Sequence, residues 1–494
     1  MRTDWIKQRV KNTSLYWIKK VEGTGTLMAK IFFVSGNEEK FGEVQEFCKT
    51  DNVAVEMYKK DIKELQTETV KELVEHKALE AFKEVRRPVL VEHTALYIRA
   101  FGEMPGLQTA YFYKHLGCQE IISYCNYKND HVAIAKSFFC FCDGIQFLHG
   151  SGSELGHIKK EYDLESEGFD WDRIFIPDED NPEQKTYVVS KKERSMRKKA
   201  WEDLKPGIEN WLSNQETKRM AEETEQENHI KKLAGLIKEK RVLLFLGAGI
   251  SASIGFPSWN RMIMELGEQE GYDSRLFEVY GDKLTLAEFI NRDTEEKTYQ
   301  FLENRFQLNE EMEEKLKTSE IYRILYELDF PVIYTTNYDN LIETYYGMQK
   351  HKYNKVSRIE DNENNKPDST RIMKFHGDIG VEENIVLTES QYFKRMDFQN
   401  FMDIQLQADL TQYHVLFLGY GISDVNIKLL LYNAAQRWGT YKKRKNSYVF
   451  TATPNAVQKA VFEKNGIISI SAADILDKEK ATLEFLRKLL EYTK

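Results

Sequence analysis

Residues 242–251, VLLFLGAGIS, decide the fold. Five consecutive apolar residues are too few for a buried helix and read as a strand covered on both faces. Gly247 and Gly249 then predict a tight turn, and a helical pattern opens after Ser251. A strand, a glycine turn and a helix start together suit a phosphate. Backbone amides can approach it, and the helix N-terminus favours its charge. On its own the pattern fits an ordinary turn equally well.

Three further strand ends in the same half change that balance. YTTNYDNLIE (334–343) closes an apolar strand with Thr335, Thr336, Asn337 and Asp339. MKFHGDI (373–379) sets His376 beside a glycine at another strand end. HVLFLGYGISDVNIKLLL (414–431) repeats the strand and Gly-x-Gly turn from Gly419, with Asp424 and Asn426 at a helix start. In a parallel α/β sheet, polar groups at the carboxyl ends of strands converge on one crevice. Each residue also has a plainer reading: Asp339, Asp424 and Asn426 as helix caps, His376 as a hydrogen-bonded structural histidine. Four such strand ends together outweigh those separate readings.

The half-chain before this run opens in the same style. KIFFVSGNEEK (30–40) is a strand, a turn through Ser35, Gly36 and Asn37, and a helix carrying Lys40. The chain has 494 residues, more than one ordinary core accommodates. Two α/β domains follow: an arm at 1–28, a first domain at 29–212, a charged helical linker at 213–232 (SNQETKRMAEETEQENHIKK) and a second domain at 233–494. Residues 275–330 read as a helical segment covering the crevice, and 359–370 as a surface loop.

Composition narrows the partners. With 41% hydrophobic and 30% charged residues, the chain has ample core for a globular protein. A net charge of −9 argues against nonspecific binding to nucleic acid or anionic membrane. No apolar run approaches the roughly 18 residues of a transmembrane helix, and the N-terminal stretch lacks a secretory h-region. The five cysteines all precede residue 150 and include no CxxC pair, which fits a reducing cytoplasm. Cys140 and Cys142 alternate along one strand and read as packing residues.

GAGIS…GFPSW, TTNYDN, KFHGD and FLGYGISD, in that order, resemble the SIR2-like NAD-consuming family over roughly 235–475. The resemblance implies a Rossmann-type parallel sheet that takes NAD+ as substrate. Gly247, Ala248, Gly249, Ser251, Asp339, Gly419, Asp424 and Asn426 would then form the NAD+ site, with Asn337 and His376 catalytic. Sirtuin deacylases carry a zinc module with paired cysteines, but this half has no cysteine. That departure, and TTNYD where sirtuins have TQNID, favours the NAD+-hydrolysing defence effectors and implies no zinc.

The first half resembles the Ham1/inosine triphosphate pyrophosphatase family over roughly 30–205, giving a mixed-sheet α/β domain. The resemblance implies a deaminated purine nucleotide such as dITP, ITP or XTP. Ser35, Asn37 and Lys40 would hold its phosphates, Phe169, Trp171 and Asp172 its base, and Lys191 and Arg197 would supply basic contacts. Glu64 matches the family's metal-site glutamate, so Mg2+ would accompany the nucleotide. Two departures fall on functional positions: the aspartate of the family's VEDT is His93, and the histidine of SHR is Met196. A histidine does not replace an anionic oxygen ligand for a hard cation. Binding elements persist while the hydrolytic ones look damaged.

The domain pair resembles the Ham1 and SIR2 components of the Kongming anti-phage system. It implies a nucleotide-activated, oligomeric NADase working with a nucleotide deaminase. Two other readings are a bifunctional housekeeping pyrophosphatase and deacylase, and a silent NAD- or ADP-ribose-binding regulator.

Overall fold

The computed structural model describes residues 30–162, 170–178, 195–292, 295–364, 369–381, 384–395, 399–419, 428, 445–472 and 475–494. The chain divides into two compact units, and the division falls between Glu222 and Glu223, inside the charged stretch 213–232. That stretch belongs to a helix, Met196–Lys238.

In the first unit the strands are β1 (Lys30–Ser35), β2 (Ala54–Lys59), β3 (Val89–Ile98), β4 (Met104–Gly106), β5 (Val132–Cys142), β6 (Phe147–Ile158) and β7 (Phe175–Pro177). They form one sheet in the order β2-β1-β3-β5-β6-β7, with β4 on β3. β2, β1 and β3 run parallel and the rest pair antiparallel, so the sheet is mixed. One face packs Phe33, Leu90, Phe139 and Phe141 against Trp201 and Leu204 of the long helix. β5 is covered on both faces, since Phe139, Cys140 and Phe141 are all buried. The cysteines are free and buried, and burial pushes the Cys48 thiol up to about 12 and Cys125 to about 11. A thiolate is the reactive form. The folded protein is therefore expected to label with DTNB far more slowly than the chain in guanidinium chloride; equal rates would contradict this packing.

The second unit holds β8 (Val242–Leu246), β9 (Val332–Thr335), β10 (Tyr353–Val356), β11 (Thr370–Lys374), β12 (His414–Leu418), β13 (Ser447–Thr451) and β14 (Ile467–Ser471). Their order is β10-β11-β9-β8-β12-β13-β14, and every pairing is parallel. β8 and β12 are buried at all positions because helices cover both faces. Leu244, Leu246 and Leu416 face one core, and Leu243, Phe245 and Phe417 face the other, as a two-residue period requires. The chain leaves β8 toward β9 on one side and reaches β12 on the other. That reversal is where a parallel sheet opens a crevice at its carboxyl edge.

Within 275–330 the helices are Lys283–Asn291, Glu295–Arg305, Glu310–Thr318 and Glu320–Leu328, after the short Ser274–Phe277 turn. Leu286, Ile290 and Leu302 pack with Tyr338 and Leu387, which belong to segments that leave the carboxyl edge. The stretch 359–370 is not all loop: Ile359–Asn364 forms a 3-10 turn and Thr370 begins β11. No helix among the described residues is long and apolar enough to cross a membrane.

Candidate functional site

Strand register sets the second unit's crevice. Leu246 of β8 pairs with Leu418 of β12 and with Thr335 of β9, and Thr335 pairs with Lys374 of β11. Gly247 and Gly419 therefore each lie one residue past the same level, and Asn337 and His376 each lie two past it.

The glycine turn is stitched to its neighbour. Gly247 donates its amide to the Leu418 carbonyl at 3.0 Å, and Gly249 donates to Gly419 at 2.9 Å. A Cβ on Gly249 would lie 2.9 Å from the Gly419 oxygen. One on Gly419, whose φ is +63°, would lie 2.8 Å from the Ile250 nitrogen. These glycines are needed for close approach of two turns, and two of the amides proposed for a pyrophosphate are spent on that approach.

The polar groups beyond β9 form a chain. Thr335 Oγ1 donates to the Leu246 carbonyl at 3.0 Å and accepts the Asn337 amide at 3.0 Å. Asn337 Nδ2 lies 2.9 Å from Ser251 Oγ, which lies 2.7 Å from Asp339 Oδ2. The carboxylate accepts only, so the serine proton goes to Asp339 and the serine oxygen accepts from the Asn337 NH2 group. This fixes the amide and turns Asn337 Oδ1 away from Ser251. Asp339 Oδ1 also accepts the amide of Leu341, the first residue of the following helix, at 3.2 Å. Ser251 and Asp339 are both buried. Burial, then the Asp339 charge, drives the Tyr322 hydroxyl well above the usual tyrosine range.

His376 is 3% exposed, and its Nδ1 lies 3.4 Å from the Tyr392 hydroxyl. The two rings meet edge to face, 5.2 Å apart. Gly377 at φ +95° has no room for a side chain, since a Cβ would lie 2.2 Å from the Asn384 oxygen. Arg395, paired with buried Asp403, donates to the Phe375 carbonyl and stacks over the Phe375 ring at 4.1 Å. Lys374, fully buried, donates to the Asp339 carbonyl and stands 3.6 Å from Glu343. Burial raises the Glu343 carboxyl above its ordinary value, against the pull of Lys374. Lys374, Arg395, Tyr322 and Tyr392 are additions that sequence reasoning did not supply. Asp424 and Asn426 lie outside the described residues.

In the first unit, Ser35 Oγ accepts the Asn37 amide at 3.1 Å, and Asn37 caps the helix Glu38–Thr50 by accepting the Lys40 amide at 3.0 Å. Gly36 lies against the exposed Asp61, whose Oδ1 would be 2.0 Å from a Cβ at that position, so a larger residue there would have to displace this side chain. Lys40 Nζ lies 2.9 Å from Glu92, which is buried and also takes Arg197 Nε at 3.0 Å and Ser137 Oγ at 2.8 Å. Arg197 is itself buried and completes its fork on Glu43 and Thr94. Burial opposes the Glu92 charge, but Arg197 and Lys40 hold the carboxyl well below its ordinary range.

Glu64 and His93 come together. His93 Nδ1 lies 3.2 Å from Glu64 Oε1, and Lys77 Nζ lies 2.8 Å from the same oxygen. His93 Nε2 faces the Leu107 carbonyl at 3.0 Å. Burial would raise Glu64, yet the hydrogen bond from His93 and the Lys77 charge hold it far below the usual carboxylate range. A carboxylate already carrying an ammonium and an imidazole does not fit a hard dication. Among the described residues no cluster of three His, Cys, Asp or Glu side chains is arranged for a metal ion. Trp171 packs edge to face on Phe175 in the core, and Asp172 is buried beside it. Phe169 and Lys191 lie outside the described residues.

Residues 31–207 match the Ham1 family, and 331–470 match the SIR2-like domain. Inosine triphosphate pyrophosphatase 2 of Trypanosoma cruzi is 35% identical over 156 residues, 31% of this chain and 79% of that protein. The chain belongs to the Ham1 family through its first unit and carries a SIR2-like domain in its second. NAD(+) hydrolase ThsA of Enterococcus faecium is 27% identical over 270 residues, 53% of this chain and 52% of that protein. Defense-associated sirtuin 2 of Bacillus subtilis is 26% identical over half of this chain and a quarter of its own length. This chain thus spans about half the length of the ThsA relative. A solved HAM1 protein from Coxiella burnetii matches 37% of this chain and all of its own, at 22% identity and a TM-score of 0.32.

Proposed function

We propose that the SIR2-like unit hydrolyses NAD+ in anti-phage defence, and that a deaminated purine nucleotide such as dITP, ITP or XTP, bound by the Ham1-like unit, switches it on. The observation that carries the catalytic half is the Asn337–Ser251–Asp339 chain, held level with His376 at one sheet edge. NAD(+) hydrolase and defence-sirtuin relatives support the same reading.

Cleaving the bond from nicotinamide to ribose builds positive charge on the sugar, and water then takes the place of nicotinamide. Asn337 Oδ1, fixed by Ser251, orients that water or a ribose hydroxyl. His376 polarises or deprotonates a ribose hydroxyl. The nucleotide half rests on a phosphate turn that keeps its cap and Lys40, beside a Glu64 that His93 and Lys77 occupy. Binding without pyrophosphate release is the expected outcome. NAD+ depletion would then halt an infected cell in which a separate deaminase raises the activating nucleotide, and oligomerisation would sharpen the switch.

The test measures nicotinamide from NAD+ and pyrophosphate from dITP in one reaction. His376→Ala is expected to lose NAD+ hydrolysis by about a hundredfold or more while dITP still binds. Full activity in that variant removes His376 from the mechanism, and rapid pyrophosphate release by the wild-type protein contradicts the sensor reading.

A further inference from the structure

The surroundings of Glu64 point to a ligand form that the family's aspartate at position 93 would not favour. Three carboxylates near the phosphate turn are already matched by the protein's own cations and donors. Glu64 carries Lys77 and His93. Glu92 carries Lys40, Arg197 and Ser137. Glu43 pairs with Arg197. Both His93 nitrogens face oxygen acceptors, Glu64 Oε1 and the Leu107 carbonyl, so neither is directed into the site as a ligand. To seat a hard dication on Glu64, the protein would have to expel an ammonium held at 2.8 Å. A dication held by one or two carboxylates and the substrate's phosphates would have to do without Glu64 for as long as Lys77 and His93 stand on it.

We propose that the Ham1-like unit binds its purine nucleoside triphosphate as the metal-free polyanion, with Lys77 and His93 standing on Glu64 where a dication would otherwise bridge protein and phosphate. The inference rests on the nucleotide-sensor reading above. Metal-free binding also explains why hydrolysis would be lost while affinity is kept. Lys40, turning from Glu92, and the N-terminus of the helix Glu38–Thr50 would hold phosphate oxygens without a metal, but they do not generate the attacking hydroxide that a bound metal can supply.

Asp61 is the discriminating residue. It is exposed and lies against Gly36 in the turn. If the polyanion enters bare, this carboxylate opposes it, and removing the charge helps. If a metal accompanies the phosphates, Asp61 is the accessible oxygen that would ligate it, and removing the charge hurts.

The experiment is calorimetric titration of the full-length protein with dITP, in EDTA and in excess Mg2+, for the wild type, Asp61→Asn and His93→Asp. The expected wild-type affinity in EDTA equals or exceeds that in Mg2+, Asp61→Asn tightens binding in EDTA by about threefold to tenfold, and His93→Asp weakens it there. Affinity about tenfold or more tighter in Mg2+ for the wild type, or weaker for Asp61→Asn, overturns metal-free binding and leaves the sensor reading intact. Absence of binding in both buffers overturns the sensor reading and this inference together. The surface variant Asp61→Asn keeps the test decisive even if His93→Asp does not fold.

Discussion

Asn337→Ala is expected to lower NAD+ hydrolysis by about 10²–10³-fold, measured as nicotinamide release in the presence of dITP. The asparagine is held by two bonds, its amide to Thr335 and its Nδ2 to Ser251, so its carbonyl oxygen is fixed in place. Losing a pre-positioned polar group of this kind costs rate more than binding, so the fall should appear in kcat with a smaller change in KM. Ser251→Ala separates orientation from contact. It leaves Asn337 in place but removes the oxygen that decides which way the amide faces, so a smaller loss, about tenfold, is expected. If Ser251→Ala raised KM alone, the serine would be a binding residue and not a positioning one.

The second large effect is on stability. Glu92→Gln is expected to cost about 3 kcal/mol, because it leaves the buried Arg197 with only Glu43 as an ionic partner. The measurement is urea unfolding of the full chain, followed through the transition of the first unit. The pH dependence gives the sign a second check. Glu92 is held below its ordinary value of 4.5 in the folded protein, so its contribution is complete above that value and fades as pH falls through the lower, folded-state one. The wild type should therefore lose stability relative to Glu92→Gln as pH drops below about 4.5, and parallel profiles would assign the acid sensitivity to other groups.

Much of this architecture is legible in the sequence because parallel strands are buried on both faces and read as unbroken apolar runs. VLLFL and HVLFL are β8 and β12, fully buried and paired side by side. The residues that follow such runs necessarily gather at one edge, so position alone places Asn337 and His376 there, while the roles proposed for them come from the family resemblance. What supports them could not. Ser251 and Asp339 are 88 residues apart in the chain, and their hydrogen bond converts two residues read as pocket lining into a device that sets an amide. Lys374 and Arg395 sit inside apolar or unremarkable stretches, and their burial depends on partners that no local pattern announces, Glu343 for the lysine and Asp403 for the arginine. The sequence reads the glycine turn as a phosphate cradle or an ordinary turn, and the structure adds a separate demand on Gly249 and Gly419: two turns need to touch. In the first unit the substitution at His93 was visible. The lysine that shares Glu64 with it, from the middle of a helix, was not.

The coupling of the two units is tested most directly by nicotinamide release from NAD+ by the wild-type full-length protein, with and without dITP, alongside a pyrophosphate assay. Nicotinamide is expected to appear only when dITP is present, and dITP to survive the reaction. Equal NAD+ hydrolysis with and without the nucleotide, or dITP consumed to pyrophosphate at the same pace, would contradict it.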